Sequence, residues 1–244
     1  ADMSLLADVE LLFSSWTCPR IDEQFLEAAP NLKVVFYGAG SIKNVVSDAM
    51  WQRRVRITHA ADANAIFVAQ YTFGQIILSL KGMWQQSQQV RQTRDFVKQL
   101  GYGGLSQSTV GIIGLGMIGW HVCELLQSLD VNVIVYDPYV NPTAVQSLGI
   151  QLVELETVFK TSHVVSLHAP WTPETVGMIT GEHFAMMLPQ STFINTARGA
   201  LVQEDSMITV LQDRPDLYVL LDVTYPEPPV KESPLYDLPN VIIT

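Results

Sequence analysis

The sequence predicts an α/β protein: a doubly wound parallel sheet in the second part of the chain, preceded by a second, smaller α/β domain. Three observations carry this. From Thr109 onward, short runs rich in β-branched residues alternate with helical patterns, the beat that builds parallel sheets. A Gly-x-Gly-x-x-Gly run follows the first of these strands directly and opens a helix. The residues before Thr109 hold a shorter version of the same alternation.

In chain order, Val9–Phe13 and Leu32–Tyr37 are apolar runs that read as buried strands. Between them Asp22–Ala29 reads as a helix, with acids early and Pro30 stopping it. Gly38-Ala39-Gly40-Ser41 then makes a flexible turn at a strand end, where an open α/β sheet places a ligand loop. Spacing alone does not separate that role from a plain turn. Asp62-Ala63-Asn64 precedes a helical stretch running to about Gln99, broken near Gly82. Its first half is apolar nearly all round, which calls for burial between domains or subunits. Gly101–Gln107 is glycine-rich and polar and reads as a linker, dividing the chain into domains 1–100 and 101–244. Beyond it, strands are expected at Thr109–Ile113, Asn132–Tyr136, Val164–Leu167, Thr192–Asn195, Tyr218–Leu221 and Val241–Thr244. Helices fit between them at Ile118–Leu129, Pro142–Leu148, Glu154–Lys160, Gly181–Met187 and Glu204–Gln212.

Composition narrows the function. At 244 residues, 48% apolar and 16% charged, the chain is that of a compact globular protein. No uninterrupted apolar run reaches the length of about 18 residues that a membrane span needs. Ala65–Leu80 comes nearest and is broken by Gln70, Gly74 and Gln75, so no membrane partner is expected. A formal charge of −10 argues against broad nucleic-acid binding, which phosphate contacts dominate. Arg53, Arg54 and Arg56 are too short a cluster for a binding stripe and read as a solvated face. The two cysteines, Cys18 and Cys123, have no metal-type spacing and suit a reducing compartment. No signal peptide opens the sequence from Ala1, so a cytoplasmic protein without a metal site is expected.

Gly114-Leu115-Gly116-Met117-Ile118-Gly119 is a dinucleotide-binding fingerprint in the right setting, strand before and helix after. Gly114 permits the tight turn, Gly116 lets the backbone approach a pyrophosphate, and Gly119 lets helix and strand pack closely. The amides of Met117 and Ile118 then face the phosphates at a helix N-terminus. Asp137 ends the next strand, roughly twenty residues on, where an acid accepts from the ribose hydroxyls. A carboxylate there repels the extra phosphate of NADP, and no Arg or Lys follows, so NAD is the expected cofactor. Asp137 also suits a turn before Pro138, and the two roles are compatible.

Three later stretches lie at predicted strand ends: SLHAPWTPET (Ser166–Thr175), FINTARGALV (Phe193–Val202) and LLDVTYPEPP (Leu220–Pro229). In these motifs, their order and their spacing, the sequence resembles the D-isomer-specific 2-hydroxyacid dehydrogenases, most densely from Val110 to Thr244. The resemblance implies a Rossmann domain, a smaller flavodoxin-like substrate domain that is incomplete here, and hydride transfer between NAD(H) and a small 2-hydroxy or 2-oxo acid. By that resemblance Arg198 is the catalytic arginine, holding the substrate carboxylate and polarising its keto oxygen. Glu227 is its acidic partner, raising the pKa of a histidine. Asp222 lies at the nicotinamide end of the cofactor, and Thr196, Ala197, Ala169, Pro170 and Thr175 line the rest through backbone or packing contacts. Gly38, Ala39 and Gly40 offer amides to the substrate carboxylate. The family often has an acid two or three residues after this loop, where this chain has Lys43 and Asn44. Trp171, Tyr225 and Tyr37 are expected to line the substrate pocket.

The implied reaction needs a general acid. The family's histidine sits in a Pro-His pair just after the strand that matches Asn240–Thr244, and the sequence stops at Thr244. Of the five histidines present, His168 matches a non-catalytic position, His121 reads as packing or surface, and His163 and His183 read as helix-flanking surface residues. His59 has no assignable partner. The chain as written is therefore expected to be a fragment that reduces 2-oxo acids poorly. It is expected to form a homodimer through the apolar helix Ala65–Leu80. Two other readings stay open: an NAD-sensing protein like the C-terminal-binding-protein corepressors, and a Rossmann enzyme of other chemistry such as a methyltransferase.

Overall fold

A computed structural model describes residues 3–96, 105–146 and 148–244. The chain divides into two compact units, Ala1–Phe67 and Val68–Thr244.

The first unit is a three-stranded parallel sheet, β1 (Leu11–Ser14), β2 (Val34–Tyr37) and β3 (Arg56–His59), in that spatial order. Two short helices, α1 (Glu23–Ala28) and α2 (Asp48–Gln52), accompany it. Asp22 caps α1 by accepting from the Phe25 N–H at 3.0 Å, and Ser47 caps α2 through the Met50 N–H at 3.2 Å. Ile21, Leu26, Val35 and Met50 fill the core. The strands begin later than the apolar runs suggest, because Lys33 and Val34 N–H groups turn back to the Glu10 carbonyl before pairing starts. β3 and α2 are not foreseen: β3 reads Arg-Ile-Thr-His and keeps only Ile57 half-buried, so it shows no apolar run.

The second unit holds a seven-stranded, wholly parallel sheet in the order β10-β9-β8-β7-β4-β5-β6. Five strands fall where expected: β4 (Thr109–Ile113), β5 (Asn132–Tyr136), β7 (Val164–Leu167), β8 (Thr192–Asn195) and β9 (Tyr218–Leu221). β7, β8 and β9 are buried at every residue, which is why each is predominantly apolar. β10 (Val241–Ile243) is the outer strand, and the two-residue β6 (Gln151–Leu152) closes the opposite edge. Helices α5 (Met117–Leu126), α6 (Pro142–Gln146), α7 (Leu155–Thr161), α8 (Gly181–Ala185) and α9 (Glu204–Asp213) lie between the strands, with bounds that differ by a few residues in either direction from the expected ranges. One face of the sheet packs on Phe159, Phe184 and Phe193, the other on Val122, Leu126, Ile76 and Leu80.

The last two residues belong to α3 (Ala61–Leu80), and the two compact units divide between its Phe67 and Val68. The division falls inside α3, since Ala69, Ile76 and Leu80 are built into the core of the larger unit. Most of the expected linker, Gly101–Gln107, lies outside the described residues. Gly82, at φ 63°, separates α3 from α4 (Met83–Thr93), which stops short of Gln99 at a left-handed Arg94. Among the described residues α3 is also the one helix long and apolar enough to cross a membrane, a mark the sequence reading set it below. Its buried residues Ala69, Ile76 and Leu80 pack against sheet residues.

β4 pairs with β5 on one side and β7 on the other, so the chain's connections run in opposite directions from β4. That switch point leaves a crevice beyond the C-terminal strand ends, where open α/β sheets bind ligands.

Candidate functional site

The loop after β4 is shaped by two contacts that exclude side chains. Gly114 sits at φ +91°, and a Cβ there would come within 2.6 Å of the Ala169 N. A Cβ on Gly119 would lie 2.2 Å from the Gly114 carbonyl oxygen, so the first turn of α5 rests directly on the strand end. A Cβ on Gly116, by contrast, would meet no protein atom within 4 Å. Gly116 is the N-cap of α5 and no side chain caps that terminus. Met117 is half exposed (50%). An uncapped N-terminus beside empty space is suited to an anionic group.

Asp137 is where the sequence put it, and its carboxylate does more than end a strand. Oδ2 accepts from the Leu115 N–H at 2.7 Å, and Oδ1 accepts from the Tyr139 and Val140 N–H groups at 2.8 and 3.2 Å. It thus ties the glycine loop to the loop after β5, and a carboxylate has roughly four acceptor sites, so capacity remains for a ligand hydroxyl. A cavity of about 380 Å³ opens beside it, lined by Gly114, Asp137, Tyr139, Ala169, Pro170 and Thr175 among others. Thr175 serves the wall rather than the cavity: its hydroxyl donates to the Pro170 carbonyl at 2.6 Å and accepts from the Thr172 N–H at 2.9 Å. Together the open N-terminus, the carboxylate and the apolar-walled cavity fit a dinucleotide.

The loop after β8 carries Arg198. Its side chain is exposed, and Nη1 donates back to the Ala197 carbonyl. Asn195, fully buried at the strand end, spans the loop from inside: Oδ1 accepts from the Ala197 N–H and Nδ2 donates to the Arg198 carbonyl, both at 3.0 Å. Gly199 next presses on the loop after β9, since a Cβ there would be 2.1 Å from the Thr224 carbonyl carbon. The stretches holding Arg198 and Glu227 are therefore in backbone contact. Glu227 is exposed, and the two charges form no ion pair among the described residues.

Asp222 and Thr196 each meet a residue of α3 through hydroxyl groups, Asp222 by way of Thr244. Asp222 is exposed, and its Oδ1 accepts from the Thr244 hydroxyl at 3.3 Å, which also meets the Tyr71 hydroxyl at 2.8 Å. Thr196 shares a buried hydrogen bond with Thr72 at 3.2 Å. Ala197 is buried. Trp171 and Tyr225 meet edge to face, ring centres 5.8 Å apart. In the first unit, Gly38 is exposed and Gly40 half-buried, whereas Ala39 is 1% exposed and packs inward. Tyr37 is likewise buried in that unit's core.

The histidines are engaged elsewhere. Burial pushes the His168 imidazole down to about 3, so it is neutral near pH 7, with Nε2 hydrogen-bonded to the Ser166 hydroxyl at 2.9 Å. His121 pairs with Glu124 on α5. His163 accepts from the Thr109 N–H at 3.0 Å, and His183 from the Thr180 N–H at 3.1 Å in a capping box. His59 accepts from the Ala61 N–H at 3.3 Å. Sequence reasoning missed Asn195, Tyr71 and Thr72. Asn195 carried a signal, a polar residue closing an otherwise apolar strand; the others needed the packing of α3.

The fold and site define a class, an α/β protein with a dinucleotide site at the switch point of a parallel sheet. Residues 73–244 match the family described as "D-isomer specific 2-hydroxyacid dehydrogenase, NAD binding domain", and the chain belongs to that family. It is 29% identical over 225 residues to a D-3-phosphoglycerate dehydrogenase of Archaeoglobus fulgidus, covering 92% of this chain and 43% of the relative. A putative 2-hydroxyacid dehydrogenase of Bacillus subtilis is 30% identical over 233 residues, with 92% and 67% covered. Among solved structures, a D-lactate dehydrogenase from Aquifex aeolicus, complexed with NAD and lactic acid, superposes with a TM-score of 0.79 at 26% identity. That match covers 100% of this chain and 78% of the other. The chain thus spans less than half the length of its phosphoglycerate dehydrogenase relative.

Proposed function

We propose that the chain is the NAD-binding core, with part of the substrate domain, of a dehydrogenase that interconverts a small 2-hydroxy acid and its 2-oxo acid. The observation that carries this reading is the convergence of Arg198, Glu227 and Asp222 on loops that Asn195 and Gly199 hold together. When bound, the cofactor supplies the hydride to the keto carbon. Arg198 grips the substrate carboxylate and stabilises charge growing on the keto oxygen, using guanidinium donors beyond the one given to Ala197. Asp222 orients the nicotinamide end, and Asp137 receives the ribose and disfavours a 2′-phosphate.

The proton must come from elsewhere. His168 is held neutral by burial, and the other histidines are engaged in the contacts described above. Glu227 is free to pair with a histidine that these residues do not supply. Turnover by this chain is therefore expected to be slower by about 10²–10⁴-fold than with a general acid in place. The reading includes a cytoplasmic location and a homodimer, and for the homodimer the support is the exposed apolar residues of α3 and α4, among them Phe67, Tyr71, Leu78 and Met83.

The test is NADH oxidation with glyoxylate, pyruvate and hydroxypyruvate, in wild type and Arg198→Gln. The proposal expects slow turnover that imidazole buffer accelerates and that Arg198→Gln lowers by about 10²–10³-fold. Turnover indifferent to Arg198 would contradict it.

A further inference from the structure

Asn195 is 0% exposed at the end of β8. An amide in that position must place two donors and an acceptor without help from solvent. Its acceptor and one of its two donors are placed on the functional loops. Oδ1 takes the Ala197 N–H and Nδ2 reaches the Arg198 carbonyl, each at 3.0 Å. Its backbone carbonyl accepts from the Asp222 N–H at 3.1 Å. One residue therefore touches the loop of Arg198 at two points and the strand end of Asp222 at a third. Arg198 itself is extended, at φ −152° and ψ 141°, with an exposed side chain, so its direction depends on how its backbone is held.

We infer that Asn195 is a positioning residue: it sets the direction in which the Arg198 guanidinium leaves the strand end and couples it to Asp222. This rests on the reading of Arg198 as the carboxylate-binding group. Asn195 acts through Ala197 and Arg198 and contacts neither substrate nor cofactor. The role needs an amide, with donor and acceptor on one planar group. A carboxylate keeps the acceptor for Ala197 but sets a negative oxygen against the Arg198 carbonyl, and a methyl group offers neither function.

The test uses the whole chain with NADH and with oxamate, an unreactive mimic of a 2-oxo acid. In Asn195→Asp, oxamate is expected to bind the NADH complex at least about 10-fold more weakly, with NADH affinity within about 3-fold of wild type. Amide exchange followed by NMR reads the loop without any ligand. In Asn195→Ala the Ala197 N–H is expected to exchange at least about 10-fold faster, with Phe193 and Ile194 in β8 unchanged. Unchanged oxamate affinity overturns the inference, whatever the exchange shows. So does loss of NADH and oxamate affinity in step with loosening of β8, or failure of both variants to fold, because each marks a merely structural residue. If wild type binds NADH but not oxamate, the reading of Arg198 fails instead, and Ala197 exchange alone decides whether Asn195 orders the loop.

Discussion

His168 shows how a site-adjacent residue can be chemically silent and still shape the protein's response to pH. It lies beside Ala169, its Nε2 meets Ser166, and burial depresses its pKa to about 3. An unfolded histidine titrates near 6.5. Between those values the unfolded chain binds the extra proton and the folded chain does not. The neutral histidine's contribution to stability is therefore complete above about pH 6.5 and is lost as pH falls toward 3. Denaturation followed between pH 7 and 4 should lose stability more steeply in wild type than in His168→Gln, by up to about 1.4 kcal/mol per pH unit. Parallel curves would show that the imidazole is not buried as described. Cys123 is silent for a similar reason, since burial and then the neighbouring Glu124 push its thiol up to about 12.

At the scale of elements, the site is a set of strand ends brought into register by a parallel sheet and locked by close backbone contacts. Gly199→Ala tests the lock between the loops after β8 and β9. Its Cβ would stand 2.1 Å from the Thr224 carbonyl carbon and 2.5 Å from the Tyr225 N, with backbone on both counts, so neither neighbour can rotate away. Urea denaturation is expected to show a loss of about 1–3 kcal/mol, the range for overpacking. No loss would mean that the loops are not apposed. Much of this scale was legible in the sequence, and the reason is burial. β7, β8 and β9 are covered on both faces and so are rich in apolar residues, and their bounds were read correctly. The edge strands β3 and β6 carry no apolar run and were missed. Gly114, Gly119 and Asp137 were legible because backbone geometry admits few residue types there. Asn195, Thr72 and Tyr71 were not, because their partners are distant in sequence or hidden in loop geometry.

At the scale of the whole molecule, α3 joins two questions. Its inner face belongs to the larger unit through Ala69, Ile76 and Leu80, while Phe67 is 70% and Leu78 36% exposed. The proposed dimer covers that outer face. Sedimentation should find a dimer in wild type and a monomer in Leu78→Glu with the same far-ultraviolet spectrum; a wild-type monomer would contradict the assembly and leave the nucleotide site untouched. The acidic balance, −10 over the chain, agrees with a protein that meets its anionic ligands through a few placed donors rather than a basic surface.

The central claim is that the crevice between Gly114 and Asp137 holds NAD. Calorimetry of NADH and NADPH against wild type and Asp137→Ala tests it most directly. Hydrogen bonds to a charged group are worth about 1.5–3 kcal/mol, so the variant should bind NADH about 10–100-fold more weakly and lose its preference over NADPH. Equal affinity of wild type for both cofactors, or NADH binding indifferent to Asp137, would contradict the account.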